Sequence, residues 1–292
     1  MSFEDIFHRL YRQGKDNGSV HATTEASPSL TLPTQTQRIA VINQKGGCGK
    51  TTTAVNLSAC LAELGCRVLL VDLDPQAHAT LGLGLRGDEL PLTIYHAMQP
   101  GGVSLAQVIR GTYHENLKLV PANTLLASLQ VELVARPGRE RILIDRLDEL
   151  GQQFNFIILD CPPSLNLLTI NALTASTHVL IPVQTHFLSL DGMRELFKTI
   201  ELVQLQFNRR LDLLGILPTM FDRRTRMNRA MLETIREYFK GKVFETVVHL
   251  SAPLTECPMM GQPITRYAPQ TRGADDYRHL AEELLRSYGE HA

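Results

Sequence analysis

The stretch "VINQKGGCGKTTTAVNLSA", residues 41–59, decides the fold. It opens with apolar residues of strand character, passes through three glycines and closes on a segment of helical period. Gly46, Gly47 and Gly49 free the backbone to curl, so that successive N–H groups can point inward at an anion, and a helix opening at Lys50 adds its N-terminal dipole. That arrangement is a phosphate cradle built from Lys45, Gly46, Gly47, Cys48, Gly49, Lys50, Thr51 and Thr52. Lys50 can reach the β and γ phosphates of a nucleotide, and the Thr51 hydroxyl can ligate magnesium. The usual G-x-x-x-x-G-K-[ST] pattern would place glycine where Gln44 stands; here Lys45 precedes Gly46 instead, leaving two lysines five residues apart. An ordinary βα turn without ligand is the plain alternative, against which the Gly-Lys-Thr-Thr helix start argues. The loop lacks the G-x-G-x-x-G of a dinucleotide site.

Outward from the loop, short apolar runs recur: "RIAVIN", "RVLLVD", "LKLVPA", "FNFIILD", "HVLIPVQ", "LLGILPTM" and "VFETVVH". Most are separated by segments of helical period. In "SLDGMRELFKTIELVQLQF", Met193, Leu196, Phe197, Ile200 and Val203 fall on one helix stripe. The alternation predicts an α/β fold: a doubly wound, mostly parallel sheet with helices on both faces, in one domain over residues 38–292. Residues 16–37 are rich in Ser, Thr, Gly and Pro and read as a linker.

Bulk composition narrows the function. Lys and Arg total 29 against 30 Asp and Glu, so polyanion binding requires a local patch. The five cysteines contain no C-x-x-C pair, which fits reduced thiols and argues against a zinc or iron–sulfur site. No apolar run approaches the ~18 residues of a membrane span, and the start lacks a signal-peptide pattern, so a cytoplasmic protein is expected.

Two more runs belong with the loop. "RVLLVDLDPQAHAT" ends a strand with Asp72 and Asp74, and "FNFIILDCPPS" ends another with Asp160. Carboxyl ends of parallel strands line the ligand crevice, where carboxylates gather around magnesium. A lone aspartate is commonly just a turn residue; three beside a phosphate loop make a candidate metal set of Thr51, Asp72 and Asp160.

The set "KGGCGKTT", "VLLVDLDPQ", "IILDCPPSLNLLTINAL" and "HVLIPVQ" resembles the ParA/MinD family of deviant Walker ATPases, and most of all its ParA (Soj) partition branch. Similarity continues through "GILPTMFDRRTRMNRAMLETIREYF" to the C-terminal helix. The resemblance implies a magnesium-dependent ATPase, slow and partner-stimulated, that dimerises around ATP. It implies that Lys45 crosses to the phosphates bound by the other subunit, although from the residues alone Lys45 can equally be a solvated loop charge or act in cis. It matches Asp74 to the aspartate that positions the attacking water and leaves Asp72 to support either metal or loop. Lys45, Lys50 and Asp74 are thus the expected catalytic set.

Partition ATPases bind DNA non-specifically as ATP dimers, becoming nucleoid-associated, and answer to a ParB-like partner. Residues 223–242 hold seven cations against two carboxylates, a net of +5 in a chain of net −1. Arg223, Arg224, Arg226 and Arg229 are the candidate DNA contacts, with a solvated helix face as the plain reading. One departure stands out: "VVHLSAPLTECP" places Leu250 and Pro253 where the family carries arginines. In "MSFEDIFHRLYRQGK", Phe3, Ile6, Phe7, Leu10 and Tyr11 make an amphipathic helix. It can dock on a ParB-like or cargo-adaptor partner, on its own domain or, less in keeping with its few basic residues, on a membrane. The alternative function is therefore positioning of a protein cargo such as a chemoreceptor cluster, a microcompartment or the division machinery. An iron-protein reading would need paired cysteines, and Cys161 stands alone.

Overall fold

The computed structural model describes residues 32–186 and 192–289. Seven strands, β1 (Gln37–Val41), β2 (Val68–Asp72), β3 (Arg110–Gly111), β4 (Leu117–Val120), β5 (Phe156–Asp160), β6 (His178–Gln184) and β7 (Asp212–Thr219), form one sheet in the order β3-β4-β2-β5-β1-β6-β7. All neighbours are parallel except β3 with β4. The chain leaves β1 for β2 on one side, while β6 pairs on the other, so the strand order reverses at the carboxyl end of β1, where the glycine loop begins. In an open parallel sheet that reversal opens the ligand crevice.

Both sheet faces are covered, which explains why the strands are apolar nearly throughout. Ile39, Val41, Leu70 and Ile158 pack into one core, and Ala40, Leu69, Val71, Ile157 and Leu159 into the other. Helix α1 (Lys50–Glu63) lies in the first core with the C-terminal helix, and the Thr53 and Tyr277 hydroxyls meet at 3.2 Å between them. In the second core lie α2 (Leu167–Ala175), α3 (Met193–Gln206) and α4 (Arg226–Tyr238). The expected α3 stripe is buried as a unit. Met231, Leu232 and Ile235 face inward from α4, and Phe239 stacks on Phe197. Burying such a side chain stabilises the fold by roughly 1.5–3 kcal/mol. Helix α5 (Arg272–Gly289) completes the domain.

Two readings need correction. "VFETVVH" is not a continuous strand: it meets β7 and its extension at isolated bridges, Ile216 with Val243 and Phe221 with His249, and through a Val248 N–H to Pro218 O bond of 2.9 Å. The Glu245 and Thr246 N–H groups donate to the Glu283 carboxylate at 2.7 and 2.9 Å, and Pro218 on β7 has no N–H to offer a ladder. The short antiparallel edge β3 was not anticipated, having too few residues to show a period. Residues 33–36, assigned to the linker, are tied to the domain: Pro33 O accepts from Asn155, and Thr36 bonds Gln152 and Phe154. The amphipathic segment 1–15 and the linker to residue 31 lie outside the described residues. Among the described residues no helix is long and apolar enough to cross a membrane.

Candidate nucleotide site

The loop after β1 is shaped by where its carbonyls go. Lys45 O accepts from Lys50 Nζ at 3.1 Å, Gly47 O from Gln184 Nε2 at 2.7 Å and Cys48 O from Thr219 Oγ1 at 2.9 Å. These three acceptors are thus occupied by the scaffold and by Lys50, and the loop residues Gly46, Gly47 and Gly49 line the cleft. Gly47 and Gly49 adopt φ of +71° and +91°, values that favour glycine. Asn43 anchors the entry, donating to Pro182 O and accepting from the Lys45 N–H. Lys50 is buried, whereas Lys45 is half-buried on the lip. Burial pushes the Cys48 thiol up, keeping it neutral and inert.

Three aspartates converge beneath the loop, each differently employed. Asp72 is saturated by the protein: one oxygen accepts from the Asp74 N–H at 3.1 Å, the other from the Thr80 N–H at 2.8 Å and hydroxyl at 2.7 Å. Its oxygens thus serve the turn that carries Asp74 and the short helix that follows it. Asp74 accepts from the Gln76 N–H and sits on the cleft wall. Asp160 is fully buried, and neither carboxylate oxygen has a hydrogen-bond partner among the described residues. Burial first, then the Asp72 and Asp74 charges, hold its carboxyl well above the usual range; the nearby Thr51 hydroxyl and Lys50 ammonium pull the other way. A buried carboxylate with no donor costs free energy that a cation can recover.

The cleft holds about 530 Å³ and runs from Gly46–Thr52 past Asp74 and Pro163 to Thr219, Met220 and the segment Val248–Ser251. Gln184 and Thr219 were not picked out in the sequence, and the far wall was marked there only through Leu250, which stands with nearby Pro253 where the family carries arginines. Nothing marks a glutamine or threonine at a strand end as a carbonyl anchor until the strands are placed side by side.

An AAA domain family model matches residues 36–213. The chain is 46% identical over 246 residues to the sporulation initiation inhibitor protein Soj of Bacillus subtilis, covering 84% of this chain and 97% of that one. It is 44% identical to the chromosome partitioning protein ParA of Myxococcus xanthus, covering 85% and 87%. A solved structure of cobyrinic acid a,c-diamide synthase from Mycobacterium smegmatis with an ATP analogue and magnesium superimposes with a TM-score of 0.78 at 37% identity, over 89% and 97%. The chain belongs to the AAA-domain family, among the ParA/Soj-type ATPases.

For a ParA/Soj-type ATPase the cofactors are ATP and magnesium, and the residues present fit both. The anchored loop offers N–H groups and the Lys50 ammonium to phosphate. Thr51 and the unpartnered Asp160 suit a cation that takes oxygen ligands and keeps several waters. Among the described residues no three His, Cys, Asp or Glu side chains are grouped so that they could hold a metal by themselves.

The cations expected to meet DNA lie just beyond the cleft wall. Arg223, Arg224, Arg226 and Arg229 are all exposed. Arg224, however, is paired with Asp222 through two contacts of 3.0 Å, so its charge is already partnered. Lys242, counted in the same cluster, donates to Leu213 O and approaches Asp212. Leu250 is 62% exposed on the cleft rim. His249 is committed to Asp276, its ring nitrogen 3.0 Å from that carboxylate.

Proposed function

We propose that this protein is a DNA-partitioning ATPase that dimerises around ATP, binds DNA non-specifically in that state and is released by hydrolysis. The observation that carries the reading is the continuity of nucleotide cleft and basic surface: Met220 lines the cleft, and Arg223, Arg226 and Arg229 follow within a few residues. The names of the similar Soj and ParA proteins support it.

In this reading Lys50, Thr51 and Asp160 hold the triphosphate and its magnesium, with Asp72 fixing the turn that carries Asp74. Asp74 orients the attacking water; an ordinary aspartate is too weak a base to do more. Lys45 is assigned to the second subunit's triphosphate. Its backbone N–H and carbonyl are already committed to Asn43 and Lys50, so its side chain is the part left to reach outward. Closure of the dimer excludes water and completes each site. Slow turnover accelerated by a ParB-like partner follows, with residues 1–15 as the partner segment on a tether ahead of the 38–292 domain.

The test is gel filtration and DNA retention across several salt concentrations, with ATP or ADP, for the wild type, Asp74→Ala and Arg226→Glu. ATP-dependent dimers and DNA retention weakened by the charge reversal are expected. Dimers whose DNA retention ignores Arg226→Glu and Arg229→Glu would turn the reading towards a protein cargo.

A further inference from the structure

A short run of hydrogen bonds joins the phosphate loop to the first turn of α4. At the loop end, Thr219 and Gln184 hold the Cys48 and Gly47 carbonyls. Gln184 Nε2 also lies 3.2 Å from Met220 Sδ. Thr185, which follows Gln184 and is buried, donates its N–H to Thr219 O at 3.0 Å and its hydroxyl to Asn228 Oδ1 at 2.9 Å. The Asp222 N–H donates to the same amide oxygen, also at 2.9 Å. Because both partners are donors, the Asn228 amide must present its oxygen to them. Asn228 thus ties the end of β6 and the turn at Asp222 to the helix that carries Arg226 and Arg229.

Between the two ends stands Met220, whose φ of +53° is uncommon for a side chain of its size. Such a conformation is strained and persists where its surroundings over-determine it. Here the restraints come from both sides: the loop through Gln184 and Thr219, and α4 through Thr185 and Asn228. A strained residue held from both sides responds when either set of restraints moves.

We propose that Thr185 and Asn228 are positioning residues that pass the state of the phosphate loop to α4, so that nucleotide identity sets the placement of the basic helix. A shift of the Gly47 or Cys48 carbonyl draws Gln184 and Thr219 with it, and the Asn228 amide converts that movement into a movement of the helix. Thr225 occupies the N-cap position of α4 without a side-chain cap bond, its hydroxyl donating instead to Asp222 O, so it too belongs to the turn that Asn228 ties down. The proposal rests on the DNA-binding reading for what the helix touches, but not for whether the helix responds.

Amide hydrogen exchange over residues 226–238, measured on the full chain with magnesium and either ADP or a non-hydrolysable ATP analogue, tests it. The wild type is expected to show a nucleotide-dependent difference that Thr185→Val and Asn228→Ala both abolish. Affinity for the analogue stays within about twofold, because neither side chain enters the cleft. The ratio of DNA affinities with analogue and with ADP falls about tenfold in the same variants. If Asn228→Ala does not fold, Thr185→Val, which keeps the shape and removes only the hydroxyl, carries the test. A difference that survives in Thr185→Val, or a wild type with none, overturns the proposal. Should Arg226→Glu leave DNA retention intact, the DNA reading falls while the exchange result still decides the coupling.

Discussion

The Lys50 ammonium donates to the Lys45 carbonyl across 3.1 Å, so the two lysines of the loop meet through the backbone of one and the side chain of the other. Their roles separate accordingly. Lys45→Ala keeps the carbonyl that Lys50 uses and removes only the outer charge. It is expected to bind nucleotide with little loss and to fail in ATP-dependent dimerisation. Lys50→Ala removes both the phosphate contact and the strap across the loop, and should lose nucleotide binding by at least about tenfold. Fluorescent-nucleotide titration and gel filtration of both variants separate the two outcomes. Equal loss of nucleotide binding in Lys45→Ala would return that side chain to its own subunit's site.

Asp160 is a buried carboxyl without a hydrogen-bond partner among the described residues, and that costs stability in the apo protein. Its carboxyl and that of Asp72, pushed up to about 6 by burial, bind protons more tightly in the folded than in the unfolded chain. For an acid whose folded pKa is raised, that contribution to stability is fully present below the unfolded value, near 3.9, and is lost as pH rises through the folded value. Asp160→Asn should therefore melt higher than wild type without nucleotide at neutral pH, with the gap closing below about pH 4. With magnesium and ATP the order should reverse, because only the wild type gains from the cation. Thermal melts at several pH values, with and without magnesium–ATP, check both parts.

Gly49 forms the turn into α1 with φ of +91°, and a Cβ there would meet only Thr219 at 3.7 Å. Space is available, so the penalty for Gly49→Ala lies in the backbone, about 1–2 kcal/mol. The relaxed alternative would rotate the Cys48 carbonyl off Thr219. A modest drop in melting temperature together with a larger loss of ATP affinity is expected; a loss of stability without loss of affinity would show that the loop tolerates the rotation.

The phosphate loop, the strand-end aspartates and the α3 stripe could be read from order alone because each is a local pattern, in which neighbours in sequence do the work. What escaped was relational. Gln184 and Thr219 become carbonyl anchors only because β6 and β7 end beside the loop. Asp160 looks like Asp72 in sequence, and only Thr80 and the Asp74 N–H, reaching one and not the other, tell the saturated carboxylate from the bare one. "VFETVVH" has strand composition, yet the N–H groups of Glu245 and Thr246 at its middle go to a glutamate on α5.

The basic surface yields a prediction in which charge pairing matters more than charge count. Arg224 is held by Asp222, while Arg226 and Arg229 project from the outer face of α4. If the surface meets DNA phosphates, each free arginine releases about one counterion on binding, and Arg226→Gln or Arg229→Gln should each flatten the slope of log affinity against log salt by about 1. Arg224→Gln should change it less, since the cation is already partnered, and Asp222→Asn should strengthen binding by freeing it. The loss should be the same on any DNA sequence, because phosphate contacts position without reading bases. Filter binding over a salt series on two unrelated duplexes measures all of this. Equal slopes for the three arginine variants would mean that the Asp222 pair opens on the DNA, and unchanged slopes throughout would remove this helix from the DNA contact altogether.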